Sequence, residues 1–391
     1  MESERGALFD PTFGSDAVGP RVGDRAWVTA MFAVEAALTR AAVTVGLVEA
    51  AHAEVVTTAA TELGAHLDIV RLGVDAAAGG NPVIPLVKVL RNQVAEAEVP
   101  ATAVHPGATS QDIMDTALML VCRDALGVIE ASLDAASAAA RGLALTHRNT
   151  PMAARTLGQQ ALPTTFGLVA ANWFSGLRRA QTRVAAVRRA CTVQYGGAAG
   201  TLAAVYPHGP AIAAALAVEL GLARQDAPWH TDRTAIADIA CSLGIAAGTI
   251  GKIAQDIVSM SATELGEVSE DAPGGSSAMP HKRNPVAAVT ARAAARRVPG
   301  AVATVLSNMD HEHQRAAGAW HAEWETITDL LRLTGGAAHR LSQSLSGLHV
   351  HPDEMARNLD KTGGALLAER VTAALAAHTE QAREIVTARC A

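Results

Sequence analysis

The chain has 391 residues, enough for one large domain or two to three smaller ones with ample core. Hydrophobic residues make up 49% but aromatics only 3%, the excess being alanine, which favours packed helices over sheets. A net charge of −6 provides no field for a polyanion, so nucleic acid is excluded as a partner and any anionic small molecule needs a local cluster of cations.

The opening residues, MESERGALFD, are charged and lack an apolar signal core, and the most apolar stretch, Ile239 to Gly251, is too short to cross a bilayer. The expectation is a cytoplasmic protein without membrane contact. Cys122, Cys191, Cys241 and Cys390 form no CxxC pair and are expected to be reduced. In chain order, Asp24 to Val45 places Val28, Met31, Phe32, Ala36 and Leu38 near a 3.6-residue period and predicts a helix. Asn81 to Pro85 reads as an extended entry into a helix running to about Ala97. His105-Pro106-Gly107 is a turn, and Thr109-Ser110-Gln111-Asp112 starts a helix reaching about Leu145, with Asp112 complementing its dipole. Further long helices are expected over 162–192, 231–269, 286–308 and 325–345. Lengths beyond thirty residues point to an all-α bundle whose helices bury faces against each other, and packing across subunits is expected. The expected division is an N-terminal helical domain over 1–105, a long-helix bundle over 106–348 and a small helical domain over 349–391.

Polar segments between the helices carry the candidate chemistry. Gly274 to Val286, GGSSAMPHKRNPV, combines a double glycine, the hydroxyls of Ser276 and Ser277, Met279, the cation Lys282 and the amide Asn284. That mix suits a loop closing over a carboxylate-rich ligand. A Gly-Ser linker would share the glycines and serines but not Met-Pro-His-Lys-Arg-Asn-Pro. Thr109 and Ser110 are carboxylate binders or simple caps, since free amides point outward from a helix start. His105 is a candidate acid or an ordinary turn residue. Arg155 and Gln159 suit a carboxylate or are surface polar groups. The glycines of Gln194-Tyr-Gly-Gly-Ala-Ala-Gly permit close backbone approach but lack dinucleotide-binding spacing. Trp229-His230-Thr-Asp-Arg233 suits recognition or a core corner, and Arg315 follows His311-Glu-His-Gln. The pairs His311/His313 and His349/His351, at i, i+2, do not share a helix face, so no metal site is expected.

Taken together, Thr-Ser-x-Asp, Arg-Thr-x-x-Gln-x-Ala-x-Pro and Gly-Ser-Ser-x-Met-Pro-x-Lys-x-Asn-Pro resemble the three active-site segments of the fumarase/aspartase superfamily, in order and rough spacing. Within it the chain is most similar to the bacterial 3-carboxy-cis,cis-muconate cycloisomerase branch. That similarity rests on LFD at Leu8, Asp24-Arg25, GNPVIPLVK from Gly80, HPGATSQDIMDTAL from His105, YGGAAGTLAA from Tyr195, PWHTDR from Pro228 and WHAEWETITD from Trp320. The resemblance implies an all-α homotetramer with a twenty-helix core, five helices from each subunit, and active sites built from three subunits. It implies no cofactor or metal.

It also implies a role for each residue. A carboxylate adds to a conjugated double bond and the carbon α to another carboxylate gains a proton, through a dianionic aci-carboxylate that needs strong electrostatic stabilisation. Ser276 matches the loop serine acting as base in the elimination direction and as proton donor in lactonisation, with Lys282 stabilising its alkoxide. Thr109, Ser110, Gln159 and Asn284 supply donors. Arg155, Ser277 and Met279 join the substrate-binding set, with His105, His230, Arg233 and Arg315 as further candidates. Leu157 stands where amine-expelling lyases carry a histidine, which disfavours adenylosuccinate or argininosuccinate lyase chemistry. A leaving carboxylate or nitrite departs unprotonated, so a lactone-forming enzyme of aromatic-acid (β-ketoadipate) catabolism and a β-eliminating nitrosuccinate lyase both remain open; a non-catalytic relative would not need the intact Ser276, Lys282 and Asn284. About forty residues follow His351-Pro352, which makes a shortened third domain an expectation.

Overall fold

A computed structural model describes residues 8–272, 274–275, 279 and 281–390. Alanine-rich helices dominate. A helix over Asp24–Val43 (α1) precedes five long ones: Ser110–Thr146 (α2), Phe166–Arg189 (α3), Thr234–Met260 (α4), Val286–Ser307 (α5) and Ala319–Ser346 (α6). They pack as a closed sequence, α2 on α3, α3 on α4, α4 on α5, α5 on α6 and α6 back on α2, with α1 also against α2. The architecture is the expected all-α bundle.

Periodicity explains the packing. On α2 the buried side chains Ile129, Leu133, Ala136 and Ala140 recur every three or four residues, so the distal half buries one stripe. Its first turns are different: every residue from Gln111 to Cys122 is buried. That end of α2 is enclosed on all sides, which is where polar groups must be fully paired. Two helices, α1 and α4, are apolar and long enough by composition to cross a membrane, and much of each lies buried inside the chain. The four cysteines are unpaired.

The expected helix over 162–192 is corrected. Residues Pro151–Thr156 (β1) and Gln159–Thr165 (β2) form an antiparallel hairpin, and the helix begins only at Phe166. Thr165 caps it, its hydroxyl accepting the Leu168 N–H at 3.2 Å. Leu157 and Gly158 make the two-residue turn, both with positive φ, at 51° and 82°. Such turns match strand twist but favour Asn or Gly at the first position, so the leucine is costly there. The expected helix over 231–269 likewise stops at Met260; Val268–Glu270 (β3) then pairs with Leu348–Val350 (β4), which leads into a short helix over Pro352–Asp360 (α7).

At the base of the hairpin, Gly167 in the first turn of α3 lies directly against the end of α2. A Cβ there would sit 2.4 Å from Arg148 Cα and 2.8 Å from the His147 carbonyl oxygen, both rigid backbone. Gly167→Ala should therefore destabilise the fold by about 1–3 kcal/mol, measured as a lower urea midpoint at unchanged slope.

Candidate active site

Asp112 lies at the centre of the enclosed end of α2. Its carboxylate is 1% exposed and accepts four hydrogen bonds. Oδ1 takes the Gly196 N–H at 2.9 Å and His230 Nε2–H at 2.7 Å; Oδ2 takes the N–H groups of Gly197 and Thr109, each at 2.9 Å. The bond to Thr109 is the carboxylate arm of a capping box. The other three draw in the glycine loop and the Trp229-His230 corner. Close approach is possible only because of the glycines: a Cβ at Gly196 would meet His230 Cε1 and Pro228 Cβ, each at 2.8 Å. Tyr195 adds a bond from its hydroxyl to the Pro106 carbonyl at 2.8 Å, and burial pushes its phenol well above the usual range.

One turn further along α2, Asp115 binds the wholly buried Arg233, with Nη1 at 2.8 Å from Oδ2 and Nη2 at 3.1 Å from Oδ1. Arg233 also donates to Glu323 of α6 through Nε at 3.0 Å and Nη2 at 2.6 Å, and stacks over Trp229 with 5.0 Å to the ring centroid. Burial penalises the Glu323 charge, but the nearby His311 ring and the bonds from Arg233 outweigh it and hold the carboxyl below its usual value. Trp320 Nε1–H donates to Asp115 at 3.0 Å. This cluster locks α6 and the loop before it against α2.

That loop delivers Arg315. Its Nη1 donates to Thr109 Oγ1 at 2.6 Å and its Nε to Gln111 Oε1 at 3.3 Å, placing a guanidinium at the N-terminus of α2. Thr109 and Ser110 are half-buried there. Amides, hydroxyls and a cation therefore converge where helix geometry already favours an anion. His105 lies beside this point, its Nδ1 2.7 Å from Glu35 Oε1.

Several expected substrate binders have other roles. Arg155 is held by the buried Glu267, through Nη1 at 2.9 Å and Nη2 at 2.6 Å, so its charge is spent inside the protein. Arg233 and His230 are 1% and 3% exposed and hold up the site rather than face a ligand. Gln159 is exposed at the hairpin turn beside Leu157, whose side chain is fully exposed. Asn284 closes the base of the signature loop: its N–H and carbonyl pair with Gly274 at 3.0 Å each, and its side-chain amide donates to the Gly274 carbonyl at 3.1 Å. Lys282 and Met279 are exposed near the tip, with the Lys282 N–H on the Met279 carbonyl at 3.0 Å. Ser276 and Ser277 lie outside the described residues. The histidine pairs do not act as pairs: His349 bonds Asp271, His351 Nε2 meets Ser269 Oγ at 2.9 Å, and His311 lies 3.3 Å from Glu323.

Glu35, Gln111, Glu267 and Glu323 were not among the expected residues. Glu35 had a signal: it is an acid on the same helical face as Met31, Phe32 and Leu38.

Residues 16–300 match the family described as Lyase. This chain is a member of the fumarase/aspartase superfamily. It is 47% identical over 382 residues to a nitrosuccinate lyase from Streptomyces davaonensis, covering 94% of this chain and 80% of that one. It is 44% identical over 381 residues to a 3-carboxy-cis,cis-muconate cycloisomerase from Bradyrhizobium diazoefficiens, covering 96% and 84%. The β-carboxy-cis,cis-muconate cycloisomerase structure from Acinetobacter calcoaceticus superposes with a TM-score of 0.92 at 38% identity, over 98% of this chain and 88% of that one. The superfamily member described here is an enzyme of this lyase and cycloisomerase group.

Asp112→Asn replaces an acceptor oxygen with a donor that must face N–H groups. The expected cost is about 3–5 kcal/mol, the range for breaking a buried charged pair. Thermal unfolding should show it as a large drop in Tm, and a variant as stable as the wild type would contradict the central position given to this carboxylate.

Proposed function

We propose that the chain is a cycloisomerase converting 3-carboxy-cis,cis-muconate to a carboxymuconolactone through an aci-carboxylate intermediate. The observation that carries this reading is the start of α2, where Arg315 is drawn onto Thr109 beside Ser110, in a chain so similar to known cycloisomerases. A substrate carboxylate there meets backbone amides, hydroxyls and a positive charge. In lactonisation one carboxylate oxygen bonds to a conjugated carbon. The electron pair of the double bond passes to the neighbouring carbon and its carboxylate, and that carbon then takes one proton. Ser276 donates this proton, and in reverse it is the base; Lys282 stabilises its alkoxide. Asn284 and Gln159 contribute donors, and Ser277 and Met279 line the substrate. The reaction belongs to aromatic-acid catabolism in the cytoplasm.

These groups work in sites shared within a homotetramer. Lys282 and Leu157 are exposed on a single chain, and no hydrogen bond or ion pair among the described residues links the signature loop to Thr109 or Ser110. Exposed apolar side chains on the bundle, Leu168, Ile245, Val289 and Leu306, offer the contact surface. Ser276→Ala should lower turnover by roughly three orders of magnitude or more while leaving KM within a few-fold. Mixing it with a chain inactivated at Thr109 and Ser110 should restore part of the activity after subunit exchange; a fully active monomer in analytical ultracentrifugation would contradict sharing.

A second reading is β-elimination of nitrite from nitrosuccinate to give fumarate. It is favoured by the 47% identity with a nitrosuccinate lyase, and Leu157, which offers no proton to a leaving group, is compatible with both readings. Both readings predict no ammonia from aspartate and no AMP from adenylosuccinate. Purified enzyme assayed side by side should consume the diene absorbance of carboxymuconate; nitrite release from nitrosuccinate without diene loss would select the second reading instead.

A further inference from the structure

Glu35 is a carboxylate in the middle of α1, 0% exposed, between Phe32 and Leu38 in the core. Its Oε1 has one partner, His105 Nδ1 at 2.7 Å, and its Oε2 has none among the described residues. A buried carboxylate so thinly bonded is costly, and such groups are retained where they set the state of a neighbour. The approach to it is built in. Thr39 Oγ1, one turn along α1, donates to the Ala103 carbonyl at 2.9 Å, and Arg91 Nη2 donates to the Val104 carbonyl at 3.2 Å. His105 then turns back with φ at 64°, a left-handed conformation that histidine adopts at a cost of order 1 kcal/mol. Its side chain is 15% exposed. Nδ1 points into a fully enclosed carboxylate, so the exposed edge is the one bearing Nε2, in the segment that leads directly into Thr109 and Ser110.

We propose that Glu35 is a positioning residue that holds His105 by Nδ1 and presents Nε2–H, with its positive charge, to a carboxylate of the substrate. The inference rests on the reading of a polycarboxylate substrate at the start of α2, whichever of the two reactions follows. The Glu35 carboxylate fixes Nδ1 as a donor, so protonation occurs at Nε2 alone. Burial by itself would lower the pKa of His105 below 6.5; the charge and hydrogen bond of Glu35, with help from Asp112 and against Arg91, raise it above. A raised value means that the pair stabilises the fold fully below the unfolded value and loses that contribution as pH rises through the folded one. Substrate affinity should follow the same direction, strongest with His105 charged and weakening as the proton leaves.

The test compares Glu35→Gln, Glu35→Asp and wild type by proton NMR titration of His105, assigned from the spectrum missing in His105→Asn. Removing the charge should lower the His105 titration by roughly 1–3 pH units. KM should rise by up to roughly ten-fold for each unit at a pH well above both titrations, and by less near them, while kcat changes less, and Glu35→Asp should recover part of both. An unshifted His105 titration in folded Glu35→Gln overturns the proposal, as does a shifted titration with an unchanged pH profile of kcat/KM. If Glu35→Gln does not fold, His105→Asn must abolish the alkaline fall of kcat/KM; a retained fall overturns it. Should wild type turn over neither carboxymuconate nor nitrosuccinate, the functional reading fails separately. The pairing is then judged with fumarate as a probe, which must perturb the His105 ring in wild type and do so less in Glu35→Gln at the same pH; equal perturbation in both overturns it.

Discussion

The organisation of the site depends on one buried carboxylate and its four donors. Asp112 is the point where a helix start, a glycine loop and a tryptophan-histidine corner are fastened together. Three of these bonds come from backbone N–H groups, which have no freedom to find other partners once the chain is folded. The charge is therefore satisfied only when all three segments are in register, and a partly assembled site leaves an anion stranded in the core. This makes correct placement of Thr109 and Ser110 a condition of folding, so the end of α2 proposed to bind the substrate carboxylate is fixed before any ligand arrives.

Arg233 extends the same logic one turn deeper. It joins Asp115 on α2 to Glu323 on α6, and through α6 it steadies the loop that carries Arg315. One cation between two carboxylates leaves excess negative charge, and His311 faces that excess from 3.3 Å. The consequence is a division of labour between arginines that look alike in sequence. Arg233 and Arg155 are consumed by internal acids, whereas among the described residues Arg315 donates to the neutral oxygens of Thr109 and Gln111 and has no carboxylate partner, which leaves its charge for the proposed ligand.

The bundle was legible in sequence because alanine-rich helices with buried stripes such as Ile129, Leu133 and Ala136 announce themselves by period. The hairpin was not. Arg155 to Thr165 is short, polar and broken by Pro163, and its turn uses Leu157 where a turn-favouring residue would have marked it. Thr109, Ser110 and Arg315 were recognised from local chemistry and resemblance, and the structure brings them together. Arg155, His230 and Arg233 were expected at the substrate for the same chemical reasons, yet their partners lie on elements 80 or more positions away, at Glu267, Asp112 and Glu323. A single sequence shows a charged group but not whether a distant acid has already claimed it. Glu35 is the converse case, where an acid within an apolar face was visible and its meaning required the position of His105.

Glu267 gives the hairpin a dependency that its own sequence conceals. The carboxylate grips Arg155 on β1 and also accepts the Asn358 side-chain amide from α7 at 2.9 Å, while Gln160 on β2 donates to the Asn358 carbonyl at 2.9 Å. Hairpin, strand β3 and the segment after β4 are thus one mechanical part assembled from three stretches of chain. Grafting the turn around Leu157 between relatives to alter substrate preference would transplant only the visible end of that part. A chimaera that carries the turn without its matching Glu267 and Asn358 contacts would inherit the new side chains but not the contacts that hold them in place.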